Sequence, residues 1–297
     1  MLFFTQKGKC FWMRVYEIPE GSKTSKGRAI QNLINIEQDD KVMAFICTQD
    51  LKDEDYINSH YVIMATKKGQ VKKTSLEQYS RPRTNGINAI TIKEDDVLLE
   101  AKLTTGESQV MLALKSGKAI RFEEAKTRPM GRGASGVRGI RLQDEKTDEV
   151  IGMIAVDDME SDILVVSENG YGKRSSLEDY RITNRGGKGV KTISITKKTG
   201  NLVSIKNVTD EDDLMIINKS GIAIRMAVED LRVMGRATQG VKLINLKGND
   251  SIAAVAKVMH DDEEVEEVED EETIENTDVS EDGTTLDNNL DDNNTEN

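Results

Sequence analysis

Short apolar runs alternate with polar turns along residues 1–260, and none carries the apolar spacing of a long helix. Within the runs, Val62, Met64 and Val71, or Met111, Ala113, Ile120 and Phe122, alternate with smaller or polar residues. That period predicts β-strands with one face toward a core. The runs come in pairs around a glycine. The turns are Thr5-Gln6-Lys7-Gly8-Lys9, Thr66-Lys67-Lys68-Gly69-Gln70, Leu114-Lys115-Ser116-Gly117-Lys118, Ser167-Glu168-Asn169-Gly170-Tyr171 and Asn218-Lys219-Ser220-Gly221-Ile222. Each predicts a β-hairpin, with glycine supplying the positive φ that a Cβ disfavours.

A second glycine follows each turn. The pairs are Gly8 and Gly27, Gly69 and Gly86, Gly117 and Gly136, Gly170 and Gly189, Gly221 and Gly240, separated by 19, 17, 19, 19 and 19 residues. An alternating run comes next: Ile90-Thr91-Ile92, Ile140-Arg141-Leu142, Ile193-Ser194-Ile195 and Ile244-Asn245-Leu246, with Ile34-Asn35-Ile36 displaced in the first unit. Five units result, about 1–50, 51–105, 106–158, 159–209 and 210–260. Each predicts a sheet of about four strands that must stack on its neighbours to bury both faces. The expected fold is all-β and propeller-like, with about five four-stranded blades.

Charge changes the picture of what such a disc does. The net charge is −12, but residues 261–297 hold 18 acidic residues and no Lys or Arg. Residues 1–260 therefore carry 41 basic against 35 acidic residues, about +6. Two cysteines, Cys10 and Cys47, and two histidines, His60 and His260, lack the spacing of a zinc site, a disulfide framework or a catalytic triad. No apolar run is long enough to span a bilayer and no signal peptide opens the chain, so a cytoplasmic protein without a membrane partner is expected. Residues 261–297 cannot bury enough apolar surface to order, so a disordered acidic tail is expected there.

The basic residues recur in register. Four positions before the second glycine stand Lys23, Arg132, Arg185 and Arg236, with Arg83 nearest to equivalent in the shorter second unit. Eight positions before it stand Arg128, Arg181 and Arg232. Around a disc these place cations on a common rim, where they neutralise successive phosphates of duplex DNA. The alternative is a charged, solvated rim on a protein-binding propeller. Thr183-Asn184-Arg185-Gly186-Gly187-Lys188-Gly189 packs three glycines around two cations, which suits a phosphate-gripping loop and equally a blade connection. Gly131-Arg132-Gly133-Ala134-Ser135-Gly136 has dinucleotide-motif spacing but lacks the strand-to-helix context that motif requires.

These features resemble the C-terminal β-pinwheel domain of the DNA gyrase A family. Lys7 to Asn35, with Val15-Tyr16-Glu17-Ile18-Pro19 and Gly27-Arg28-Ala29-Ile30-Gln31-Asn32-Leu33, is similar to one of its blades. Arg185-Gly186-Gly187-Lys188-Gly189 matches the last five positions of the family's box, Gln-Arg-Arg-Gly-Gly-Lys-Gly, with Thr183 and Asn184 in the first two. The family carries the full box in its first blade and has six blades. The resemblance therefore implies a fragment lacking that blade and the breakage-reunion region. It implies duplex DNA as partner, wrapped to support ATP-dependent negative supercoiling. It also implies assembly with the gyrase A catalytic core and gyrase B as A2B2 in the bacterial cytoplasm, associated with the nucleoid. ATP and Mg would act in the complete gyrase, with no cofactor in this chain. None of Tyr16, Tyr56, Tyr61, Tyr79, Tyr171 and Tyr180 stands in the family's catalytic Arg-Tyr context, so no nucleophile is carried over. The related domain of the topoisomerase IV A subunit, which varies in blade number and lacks the box, is the second reading, and the partial box here favours gyrase. The acidic tail has two readings: a solubilising segment with no specific role, or a tethered polyanion that competes with DNA for the rim's cations.

Overall fold

The computed structural model describes residues 1–22, 25–248 and 250–259. The chain divides into two units, Met1–His260 and Asp261–Asn297. Lys23 and the acidic tail fall outside the described residues, so the expectations placed on them have no structural account.

Each expected hairpin forms. Repeat 1 supplies β1 (Leu2–Thr5), β2 (Lys9–Trp12) and β3 (Val42–Ile46). Repeat 2 supplies β4 (Tyr61–Thr66), β5 (Gln70–Ser75), β6 (Ile87–Asn88) and β7 (Leu98–Thr104), after a single short helix, α1 (Glu54–Ser59). Repeat 3 supplies β8 (Gln109–Leu114), β9 (Lys118–Glu123), β10 (Val137–Arg138) and β11 (Val150–Val156). Repeat 4 supplies β12 (Asp162–Ser167), β13 (Tyr171–Ser176), β14 (Val190–Lys191) and β15 (Leu202–Val208). Repeat 5 supplies β16 (Asp212–Asn218), β17 (Ala223–Ala227), β18 (Val241–Lys242) and β19 (Ile252–Met259). The turn glycines 8, 69, 117, 170 and 221 take φ between 78 and 87°.

Five antiparallel blades are present, as expected, but a repeat does not fill its own blade. The sheets run β3-β1-β2-β6, β7-β4-β5-β10, β11-β8-β9-β14 and β15-β12-β13-β18. In each, the outermost strand comes from the following repeat. Thus Ile87 and Asn88 pair with Cys10 and Lys9, and Val190 and Lys191 pair with Ala119 and Lys118. The fifth sheet, β17-β16-β19, has three strands among the described residues. Between the two glycines, the chain first completes the hairpin of its own blade and then leaves it. It runs back over the preceding one.

The alternating burial expected of β4, β8 and β12 is replaced by burial on both faces. Val62, Ile63, Met64 and Ala65 are all fully buried, as are Val110 to Leu114. The reason is stacking: four of the five cores among the described residues lie between consecutive blades, and the fifth, around Phe3, Phe11 and Ile34, lies within the first repeat. One joins Leu2, Phe4 and Cys10 to Val62, Met64, Leu76, Ile90 and Leu98. The next joins Ile63 and Val71 to Val110, Leu112 and Phe122. At roughly 1.5–3 kcal/mol per fully buried large aliphatic side chain, this packing holds the blades together. The inner strands β3, β7, β11, β15 and β19 follow one another in contact. The donated strands therefore lie on the outside.

Candidate nucleic-acid interface

The outer rim is built from the donated segments. Each arrives beside the outer hairpin strand of the preceding repeat. The backbone N–H of Met130 donates to Lys73 O at 2.8 Å, that of Thr183 to Arg121 O at 2.9 Å and that of Met234 to Arg174 O at 2.8 Å. Three repeats thus share one register. In that register Arg128, Arg181 and Arg232 each stand just before a bridged residue, and all three are exposed. Arg83 is exposed on the corresponding segment of repeat 2.

The segment then forms a glycine loop and enters its short strand. At the second glycine the donated backbone lies directly on its acceptor. A Cβ at Gly136 would come within 2.4 Å of Val71 O, at Gly189 within 2.6 Å of Ala119 O and at Gly240 within 2.4 Å of Gly172 O. All three take left-handed φ. These recurrent glycines are demanded by packing, not by a ligand.

Each loop rests on the repeat behind it. Thr91 N and Oγ1 donate to Ala134 O and Gly133 O, at 3.2 and 2.8 Å. Arg141 N donates to Gly187 O at 2.8 Å, and Ser194 N donates to Thr238 O at 3.0 Å. The box-like loop is further pinned by Gly186 N donating to Gly139 O at 2.6 Å. Lys188 projects from it exposed.

The arginines four positions before the second glycine have a double role. Arg185 Nε and Nη1 donate to Lys126 O and Arg138 O at 3.0 and 3.2 Å. Arg236 makes the equivalent pair to Asp179 O and Lys191 O at 3.0 and 2.7 Å. Both are half-buried, as is Arg132. A guanidinium has five N–H donors, so these bonds anchor the loop while charge remains for an anion.

The family model described as "DNA gyrase C-terminal domain, beta-propeller" matches residues 1–49, 60–105, 110–157, 161–209 and 212–259. This chain belongs to that family. The gyrase A proteins of Staphylococcus aureus strains MRSA252 and NCTC 8325 are 44% identical to it over 285 residues. The match covers 96% of the chain and 31% of each relative, so the chain spans about a third of their length. Among solved structures, the C-terminal domain of DNA topoisomerase IV aligns with TM-score 0.77 and 25% identity, over 87% of this chain and 78% of that one. The DNA gyrase A C-terminal domain aligns with TM-score 0.74 and 24% identity, over 87% and 82%, and its likeness is one of fold.

Within this gyrase-type domain, sequence reasoning overlooked two sets of residues. Arg138, Lys191 and Lys242 stand two positions after the second glycine, and all are exposed on the donated strands. Their recurrence was visible in the same alignment that found Arg132, Arg185 and Arg236. The second set lies on the outer hairpin strands. Lys72, Lys73, Arg121, Lys173 and Arg174 are buried, where lysine and arginine ordinarily are not. Arg121 Nη1 donates to Leu177 O and Tyr180 O at 2.6 and 3.0 Å. Lys73 lies 3.6 Å from the buried carboxylate of Glu124. Arg174 Nε bonds Asp162 at 2.6 Å. Most of these charges tie neighbouring repeats together, away from solvent. Tyr79 and Tyr180 are also buried, and loss of solvent pushes the Tyr180 hydroxyl up to about 12. No helix among the described residues is long and apolar enough to cross a membrane.

Proposed function

We propose that this chain binds duplex DNA along the outer edges of its blades and wraps it, as the non-catalytic part of a gyrase A protein. The observation carrying this reading is the identical placement of exposed Arg128, Arg181 and Arg232 on three successive donated segments. Each is followed by a loop or strand bearing further cations. Wrapping requires bending: 40–90° over 20–30 base pairs costs roughly 1–6 kcal/mol, which a row of phosphate contacts offsets. Contacts of this kind carry no base readout, so binding tolerates sequence and falls steeply with salt.

In the full enzyme the wrapped duplex presents a segment to the gyrase A core. With gyrase B, in an A2B2 assembly using ATP and Mg, strand passage then introduces negative supercoils in the bacterial cytoplasm. The likeness in fold to the topoisomerase IV domain supports a second reading, in which DNA is bound but not wrapped with a fixed hand. One experiment separates them. The protein is incubated with relaxed circular DNA, topoisomerase I is added, and the sign of the trapped supercoils is read. Positive trapped supercoils support wrapping. Salt-sensitive binding without trapped supercoils supports the second reading. Absence of salt-sensitive duplex binding refutes both.

A further inference from the structure

Two lysines of the outer hairpin strands do something the others do not. Lys72 and Lys173 each stand three residues after a turn glycine, where the remaining repeats have Phe11, Ile120 and Ile224. Both are buried, with 0% and 1% of their surface exposed. Each ammonium is held by neutral oxygens. Lys72 Nζ donates to Ala89 O and Arg132 O, at 2.5 and 2.6 Å. Lys173 Nζ donates to Gly235 O and Thr238 Oγ1, at 2.7 and 3.3 Å. Arg132, Gly235 and Thr238 belong to the loops arriving from the next repeat.

We propose that Lys72 and Lys173 are positioning residues of the rim: each sets a positive charge beneath the following repeat's glycine loop, holds that loop's backbone in place, and supports a DNA phosphate seated above it. The inference rests on the DNA-binding reading and extends it to two residues facing away from solvent.

A comparison of the loops supports it. The box-like loop Arg185–Gly189 carries Lys188 just before its second glycine and lies over an apolar residue, Ile120. The loops ending at Gly136 and Gly240 have Ser135 and Gln239 in that position, and these are the two with lysine beneath. Each of the three loops therefore has one lysine, from above or from below. The loop ending at Gly86 has Asn85 above and Phe11 below, and so has neither.

The glycines point the same way. A Cβ at Gly131, Gly133 or Gly235 would meet nothing within 4 Å, and none of these takes a left-handed φ. Neither packing nor backbone conformation requires glycine there. A bare backbone does allow an anion to approach the loop closely.

An ammonium buried with only neutral oxygens in hydrogen-bond contact is costly. Burial, with the Arg132 guanidinium adding repulsion, holds Lys72 down to about 8. Burial likewise holds Lys173 down to about 8, with Asp179 opposing and Arg236 and Lys191 reinforcing. A phosphate above the loop supplies the missing charge and favours the protonated form. DNA binding thus takes up protons above pH 8. Where the complex keeps the lysine protonated up to pH 9, affinity falls roughly tenfold per lysine between pH 7 and 9.

The test is duplex binding by the full chain at fixed low salt from pH 7 to 9. It compares the parent, K72M/K173M, and K72M/K173M with S135K and Q239K added. The expected result is a pH-dependent loss of affinity in the parent and a weaker, flatter profile in K72M/K173M. Restoring lysine from above should recover affinity at pH 7 without the loss toward pH 9. A flat parent profile, or one unchanged by K72M/K173M, overturns the inference while leaving DNA binding intact. The parent profile alone decides the matter where the substituted chains fail to fold. A parent that binds no duplex at any pH or salt defeats the DNA-binding reading itself.

Discussion

Replacing Gly189 by alanine tests how the donated strand is seated. Gly189 has φ +69°, where a residue with a Cβ costs about 1–2 kcal/mol. The new Cβ would also lie 2.6 Å from Ala119 O and 2.9 Å from Ala119 C, both backbone atoms of the neighbouring repeat. Neither can rotate away, so β14 must shift. The shift strains the bond from Thr192 N to Gly117 O, now 2.9 Å, and the pairing of Val190 with Ala119. With each backbone bond worth about 1 kcal/mol, the loss totals about 3 kcal/mol. For a domain of this size that lowers Tm by roughly 10 °C. Gly133→Ala is the matched control, since its Cβ meets nothing within 4 Å. Its stability should stay within about 0.5 kcal/mol of the parent, while duplex affinity falls because the loop surface is no longer bare. Differential scanning calorimetry and filter binding read the two effects. A Gly189→Ala protein melting within 2 °C of the parent, on the ~2–4 °C per kcal/mol scale for such domains, would refute the argument that this contact seats the strand.

Three further outcomes are expected. Alanine at Arg128, Arg181 or Arg232 should leave Tm unchanged and lower the slope of log affinity against log salt by about 0.9 each, measured by fluorescence anisotropy. An unchanged slope removes that residue from the phosphate path. Lys72 and Lys173 titrate near 8 in the folded chain, below the ordinary lysine value. Between the two values the unfolded chain binds more protons, so their contribution makes stability rise with pH from about 8 to 10. Urea denaturation should show that rise in the parent and a smaller one in K72M/K173M. Deleting 261–297 should tighten duplex binding at low salt and have little effect at high salt, where screening weakens the tail's attraction. Equal affinity with and without the tail, at every salt concentration, rules out competition.

Much of the fold was legible in the order of residues alone. Paired apolar runs around Gly8, Gly69, Gly117, Gly170 and Gly221 specified the hairpins, because a tight turn needs its left-handed residue in place locally. The nearly constant glycine spacing specified five repeats and a stacked all-β architecture. The exposed arginines at 128, 181 and 232 were legible too, because matched positions in a repeat fold to matched places.

Tertiary structure alone decided which repeat each segment serves. Strands as short as Ile87–Asn88 and Val137–Arg138 have little intrinsic preference, and their partner is chosen by packing against the repeat before them. That choice makes the second glycine a point of close backbone contact. It draws Arg185 and Arg236 partly into the structure. It also buries Lys72 and Lys173 under loops that come from some 60 residues further along the chain. A lysine on a strand reads as exposed until something is laid over it, and here the cover belongs to a different repeat.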